Sequence, residues 1–293
     1  MQNLMKIGWV GTGVMGKSMC KHLLNAGYQL SIFNRTASKC EELINMGACF
    51  TDVKTIGETC DLVFLMLGYP SDVKETVEIL LPVMKDGSYL VDHTTSSPGL
   101  AEWIAEEALK RNIRSWDAPV SGGDVGAREA RLVVMAGGQE EGFETVKEIM
   151  QKYSSKINLM GGPGRGQHTK MTNQIFIAGG IIGVCEGLLY AYKAGLDIPK
   201  VVELLGGGAA SSFSLNVYGP RIIKRDFEPG FYVEHFFKDM GIALEESKRM
   251  GLKLQGLDLA INLYKYMIDE GLGKKGIQGL YLALEKLNNI PHK

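Results

Sequence analysis

The residues Gly11-Thr12-Gly13-Val14-Met15-Gly16 stand where an apolar run, KIGWV, gives way at once to a helical pattern. That order suits a turn that cradles phosphates. The first glycine permits a tight turn, the second lets a pyrophosphate approach the backbone, and the third lets helix and strand pack closely. The helix start adds unpaired N–H groups and the positive end of its dipole. Glycine-rich turns occur in every kind of fold, so the weight lies in the position. At the first strand-to-helix junction of an alternating chain, this turn points to a dinucleotide.

At the end of the second strand-like run lie Asn34, Arg35 and Thr36, with Lys39 close behind. A site for NAD usually carries an acidic residue about 20 positions after the glycines, which holds the ribose 2′-hydroxyl. Arginine instead matches a 2′-phosphate, because its planar fork makes paired charge-assisted hydrogen bonds. The reading is NADP(H), with NAD(H) as the alternative if Arg35 and Lys39 only solvate a helix start.

Lys170, Asn173 and Gln174 are spaced i, i+3, i+4, so on a helix they share one face. A lysine beside two amides, heading an otherwise apolar helix, is an unusual choice for packing, since lysine is seldom buried without a partner. Desolvation would bring its pKa down from about 10.4 toward neutrality. It could then give and take a proton between a hydroxyl and a carbonyl, with the amides orienting the substrate hydroxyl and the ammonium. The other reading is a surface lysine whose stem lies along apolar neighbours.

These groups need a scaffold. Strand-like runs KIGWV, LSIF, LVFLML, YLVD, RSWDA, RLVVMAGG and KINLMG alternate with helix-length stretches such as KSMCKHLLNAG, SDVKETVEILLPVM and GLAEWIAEEALKR. Strand alternating with helix implies a Rossmann-type, doubly wound α/β domain, with a mainly parallel sheet and helices on both faces. Beyond the glycine-rich break GGPGRGQ at 161–167 the strand signals stop, and helices are expected at 168–194, 197–206, 235–250, 256–270 and 276–288. Gly195, Gly251 and Gly271 follow three of these as C-caps would. The division is a dinucleotide-binding domain at 1–162 and an all-α substrate and dimerisation domain at 163–293.

Composition narrows the classes further. Of 293 residues 22% are charged, and the formal net charge is -1, with the basic residues scattered. Neither nucleic acid nor an anionic membrane is an expected partner. Five cysteines, an odd number without CxxC spacing, fit buried thiols in a reducing, cytoplasmic setting better than disulfides or structural zinc. His22, His93, His168, His235 and His292 show no ligand spacing, so no metal is expected. The N-terminus, MQNLMKIGWVG, has no apolar stretch with a cleavage site. The run MTNQIFIAGGIIGVC falls short of the roughly 20 residues that span a bilayer, and reads as a core helix. Apolar faces such as Leu257, Leu259, Ile261 and Leu263 leave room for a second copy of the chain, as a homo-oligomer.

Four separated motifs resemble the β-hydroxyacid dehydrogenase family, whose members include 3-hydroxyisobutyrate dehydrogenase and tartronate, glyoxylate and succinic semialdehyde reductases. They are IGWVGTGVMGKSMCKHLLNAG at 7–27, Asp117-Ala118-Pro119-Val120-Ser121-Gly122-Gly123, the segment Gly164 to Gln174, and Phe237-Lys238-Asp239-Met240. The resemblance implies hydride transfer between NADP(H) and the β-carbon of a small carboxylate-bearing substrate, with Lys170 as the proton donor and acceptor. It implies that Ser121, Gly122 and Gly123 receive the carboxylate, and that Phe231 caps the substrate beside Asn173 and Gln174. Met66, Leu67, Thr95 and Lys238 match positions along the cofactor groove. Relatives form dimers and tetramers. This chain departs from the family at Ala130-Arg131, where relatives often carry glycine and then threonine, and in the C-terminal GLGKKGIQGLYLAL. An imine reductase is the rival within enzymes, although Lys170 replaces the donor usual there. Outside catalysis the rival is a cofactor-binding sensor or scaffold.

Overall fold

The computed structural model describes residues 5–290, and these divide into two compact units between Lys170 and Met171. In the first, nine strands form the sheet: β1 (Ile7–Val10), β2 (Leu30–Phe33), β3 (Cys49–Phe50), β4 (Leu62–Leu65), β5 (Tyr89–Asp92), β6 (Arg114–Asp117), β7 (Val120–Ser121), β8 (Leu132–Gly138) and β9 (Ser154–Leu159). Their order is β3-β2-β1-β4-β5-β6-β8-β7, with β9 beside β8. Pairing is parallel from β3 through β6, antiparallel where β8 meets β6 and β7, and parallel again between β8 and β9. The mainly parallel sheet expected from the sequence is present. The two-residue strands β3 and β7 carry too few side chains for any periodicity and were not expected.

Helices α1 (Val14–Asn25), α2 (Glu41–Asn45), α3 (Val53–Thr59), α4 (Pro70–Leu80), α5 (Pro98–Leu109), α6 (Gly123–Arg128) and α7 (Phe143–Met150) occur between the strands. Strands β1 and β4 are buried along their whole length, which is why they read as continuous apolar runs. Alternation along them sorts side chains to two cores. Trp9, Phe64, Leu23, Trp116 and Tyr153 pack on one face of the sheet, and Val10, Val63, Leu65, Val77 and Ile104 on the other.

Because β1 leads outward to β2 and β3 before the chain returns to β4 beside β1, the strand order reverses between β1 and β4. Loops leaving the carboxyl ends of neighbouring strands diverge there, and that crevice is where such sheets hold ligands.

The helical unit contains α9 (Ile198–Gly206), α10 (Gly219–Ile223), α11 (Val233–Arg249), α12 (Gln255–Asp269) and α13 (Leu280–Leu287), and the 29-residue α8 (Arg165–Lys193) runs into it from the sheet unit. Gly195, Gly251 and Gly271 follow α8, α11 and α12 with φ of 73°, 73° and 77°, the left-handed conformation expected of C-caps. By length and composition α8 is long and apolar enough to cross a membrane, since the helix extends beyond the uncharged run at both ends. In this fold Met171, Ala178, Ile181, Cys185 and Leu188 on α8 pack in the core of the helical unit. Leu257 is also core, with Ile261 and Leu263 partly buried against it, so α12 spends most of its apolar face inside its own unit. Apolar surface is exposed elsewhere, at Phe176, Tyr190 and Leu204.

Below the carboxyl end of β5, His93 is sealed in an aromatic stack with Phe64, Trp9 and Tyr153. Its Nδ1 lies 2.6 Å from the Ala118 carbonyl, which can only accept, so Nδ1 carries the hydrogen. The Tyr153 hydroxyl, 2.8 Å from Nε2, then donates to a neutral imidazole. Burial pushes the His93 pKa down to about 4. An unfolded chain binds the proton near pH 6.5 and the native chain does not, so this stability is present above pH 6.5 and lost as the pH falls toward 4. The loss amounts to about 3 kcal/mol.

Two outcomes follow from the fold. The stability difference between the wild type and His93→Asn, from urea unfolding, should shrink by about 3 kcal/mol between pH 7 and pH 4, and a constant difference would contradict a buried neutral imidazole. Ala130, after α6, holds a φ of 53° that glycine adopts without strain. Ala130→Gly should therefore raise the unfolding free energy by about 0.5–1 kcal/mol, after allowing for the extra backbone entropy of glycine. A lower melting temperature would refute this.

Candidate active site

The glycine turn leaves the carboxyl end of β1 and enters α1 at Val14. Gly11 has a φ of 102°, and a Cβ there would lie 2.2 Å from the Met66 carbonyl oxygen. A Cβ on Gly16 would lie 2.0 Å from the Gly11 oxygen, so α1 sits directly against the turn. On Gly13 a Cβ would meet nothing within 4 Å, which leaves that backbone open to a ligand. Helix α1 begins at Gly13 without a side-chain cap, and its first N–H groups have no partner within the helix. An open backbone, uncapped amides and a helix dipole suit a pyrophosphate, so this turn fits a dinucleotide.

Two of the residues expected to touch cofactor also brace the turn. Thr12 is buried, its N–H donates to Asn34 Oδ1 at 3.1 Å, and its hydroxyl lies 3.3 Å from Cys40 Sγ. Asn34 donates in turn to the Thr36 carbonyl. Arg35 is exposed, and its guanidinium reaches Asp72 at 3.1 Å. Val14 is exposed and Met15 half-buried. Met66 and Leu67, half-buried, continue from β4, where Met66 N donates to the Val10 carbonyl and Leu67 N to the Thr94 hydroxyl. Thr95, also half-buried, follows β5.

Lys170 is only 7% exposed, and its Nζ donates to the Val120 carbonyl at 2.9 Å. Val120 immediately precedes Ser121, Gly122 and Gly123, so the ammonium is anchored beside the turn expected to receive a carboxylate. Ser121 closes β7, paired with Val133 on β8, and Gly122 turns the chain into α6 with a φ of 127°. Lysine, serine and both glycines therefore come together within the sheet unit.

In the helical unit the amide pair belongs to a chain of polar contacts. Asn173 Nδ2 donates to Gln174 Oε1 at 2.7 Å, and Gln174 Nε2 donates to Asp239 Oδ2 at 2.7 Å. Lys238 forms an ion pair with the same Asp239, 3.0 Å from Oδ1. Gln174 is fully buried and Asn173 only partly, so Gln174 braces its neighbour while Asn173 lies nearer the surface. Phe231 packs its ring 5.6 Å from that of Phe236. His235, on α11, has its pKa lowered by burial and by Lys238. Among the described residues no group of three histidines, cysteines or acids is gathered as a metal site would need, and His292 lies outside them.

Several buried polar residues had no role in the sequence reading. Asp117 and Gln167 appear there only as letters inside motifs. Asp117 in fact accepts from the Gly164 amide, 47 positions away, and Gln167 reaches the Thr94 carbonyl across 73. Asp239, which joins the amide pair to Lys238, also went unassigned. Such pairings leave no trace in local spacing.

Two family models match the chain. One, the NAD binding domain of 6-phosphogluconate dehydrogenase, covers residues 6–162, and the other, NAD-binding of NADP-dependent 3-hydroxyisobutyrate dehydrogenase, covers residues 164–284. A protein of Arabidopsis thaliana named "Probable 3-hydroxyisobutyrate dehydrogenase-like 1, mitochondrial" is 52% identical over 97% of this chain and 86% of its own length. The 2-hydroxy-3-oxopropionate reductase of Escherichia coli is 36% identical over 97% of this chain and 99% of its own. Among solved structures, a 3-hydroxyisobutyrate dehydrogenase of Mycobacterium tuberculosis with L-serine superimposes with a TM-score of 0.88 at 24% identity, over 96% of this chain and 99% of that one. At that identity the likeness is one of fold.

Proposed function

The chain belongs to the β-hydroxyacid dehydrogenase family, as an NAD(P)-dependent oxidoreductase of CH–OH groups, and we propose that it interconverts a small β-hydroxy acid and its semialdehyde with NADP(H), using Lys170 as general acid and base. One observation carries the reading: a buried lysine whose ammonium is held on the carbonyl next to the Ser121-Gly122-Gly123 turn. A substrate carboxylate seated on that turn would bring its β-carbon close to Nζ. Glycine backbone admits a carboxylate without a side chain in the way, and the Ser121 hydroxyl adds a donor.

When bound, the nicotinamide gives a hydride to the carbonyl carbon or takes one from the alcohol. During reduction the Lys170 ammonium hands a proton to the carbonyl oxygen as negative charge develops there. In oxidation the neutral amine takes that proton back. Asn173 orients the hydroxyl, held by the buried Gln174 and Asp239 behind it. By their match to the family, Phe231 would cap the substrate and Lys238 would add positive charge near the cofactor. Gly11, Gly13 and Gly16 with the first turn of α1 would hold the pyrophosphate, and Thr12, Val14, Met15, Met66 and Leu67 would line its site. By its match to the family, Thr95 would contact the cofactor near the nicotinamide.

The choice of NADP(H) rests on Arg35 and Thr36 after β2, where the chain carries Asn34 in the place at which an NAD site usually has an acidic residue. The description of the family model over the second half of the chain, an NADP-dependent enzyme, supports it. Phe176, Tyr190 and Leu204, each about three-quarters exposed, favour a second copy of the chain against the helical unit.

Lys170→Ala should lower kcat by at least about 100-fold while leaving the Kd for NADPH within about two-fold, as steady-state rates and fluorescence titration would show. Undiminished turnover would refute the role. Arg35→Ala should weaken NADPH by about 10-fold or more and leave NADH nearly unchanged. Equal losses for both cofactors would remove the case for a 2′-phosphate contact.

A further inference from the structure

We propose that Asp117 and Gln167 are positioning residues for Lys170, a polar clamp that fixes the first turn of α8 against the ends of β5 and β6 and so sets where the ammonium stands. This rests on the reading of Lys170 as the acid and base. Asp117 closes β6, is 5% exposed, and divides its carboxylate between two amides: Oδ1 accepts from Gly164 N at 2.8 Å and Oδ2 from Gln167 N at 2.7 Å. These N–H groups flank the start of α8, where a helix has no acceptor of its own. The carboxylate therefore caps the helix from a distant strand and meets the positive end of its dipole.

Gln167 is fully buried and uses both ends of its amide on the loop after β5. Its Nε2 donates to the Thr94 carbonyl at 2.7 Å, and its Oε1 accepts from Ser96 N at 3.0 Å. The approach is close enough to exclude side chains. A Cβ on Gly166 would lie 2.4 Å from the carbonyl oxygens of both Asp117 and Met135, and one on Gly137 would lie 2.5 Å from Gly166 N. Four hydrogen bonds and two glycine contacts thus stop the first turn from rolling or sliding.

Lys170 stands one turn beyond Gln167, and its Nζ donates to Val120, three residues after Asp117. Asp117 consequently references both sides of the site, the helix bearing the ammonium and the strand leading to the Ser121 turn. Proton transfer depends steeply on such placement, with about 100-fold lost for a displacement of about 1 Å.

Two variants test this, each compared with Lys170→Ala in steady-state kinetics, NADPH titration and thermal melting. Gln167→Met keeps the volume and removes both loop hydrogen bonds. Asp117→Glu keeps the charge and the cap but lengthens the tether by one methylene. Both should lower kcat by about 100-fold, with KM and the NADPH Kd changed less than about three-fold and a cooperative melt retained. A role confined to charge or stability would instead be rescued by glutamate at 117. Folded variants with kcat within about three-fold of the wild type, beside an inactive Lys170→Ala, overturn the clamp alone. An active Lys170→Ala overturns the reading beneath it. If neither variant folds, the pair is a determinant of folding, and the positioning proposal fails as well.

Discussion

The seating of a helix start on a buried carboxylate is the constraint from which the rest of the site follows. A helix of 29 residues begins inside the sheet unit, where water cannot satisfy its first amides. Each such donor left unpaired costs about 1–3 kcal/mol. Asp117 removes that penalty for Gly164 and Gln167, but it brings its own, because its carboxyl is buried. Burial pushes the pKa up to about 7 against the pull of the two amides, with the charge of Asp92 adding to the rise. Relative to an unfolded carboxyl near 3.8, that contribution to stability is complete below about pH 4 and is lost as the pH rises through 7. Its sign is opposite to that of His93, and the two buried groups partly offset each other across the acid range.

The parallel sheet explains why so many candidate site positions come from distant parts of the chain. Strands β1, β2, β4, β5 and β6 run the same way, so their carboxyl ends share one edge. That edge carries Gly11, Asn34, Met66, Thr95 and Asp117 in turn. Each loop is short and braced by backbone or amide contacts to the next: Thr12 to Asn34, Met66 to Val10, and Leu67 to Thr94. His93 ties β5 to Ala118 from beneath, which fixes the segment that continues to Val120. The scaffold's rigidity is thus delivered to the carbonyl on which Lys170 rests.

Much of this was legible in the sequence because it is local. Fully buried strands such as β1 and β4 announce themselves as unbroken apolar runs, and the glycine turn lies in a fixed relation to its strand and helix. The spacing of Lys170, Asn173 and Gln174 put them on one helix, as they are. Burial of the lysine and its bond to Val120 are properties of the folded chain. The pairing of Asp117 with a helix start 47 residues on is a matter of topology, and so is the bond from Gln174 to Asp239. Thr12 and Asn34 show the limit in another way: their types fit cofactor contacts, and only the folded chain shows that they also brace the turn, with Thr12 N donating to Asn34 Oδ1. The apolar residues of α12 were similarly legible as a face, but only the neighbouring helices reveal that its own unit fills most of it.

The proposed proton transfer depends on the position of one amine relative to one hydroxyl. A crystal structure of the protein with NADP+ and 3-hydroxyisobutyrate would measure it. The expected result is the ligand carboxylate on the Ser121-Gly122-Gly123 turn and Lys170 Nζ within hydrogen-bonding distance of the ligand hydroxyl, with the carbon bearing that hydroxyl facing the nicotinamide. A ligand hydroxyl bound by other groups, with Nζ beyond hydrogen-bonding distance of it, would contradict it.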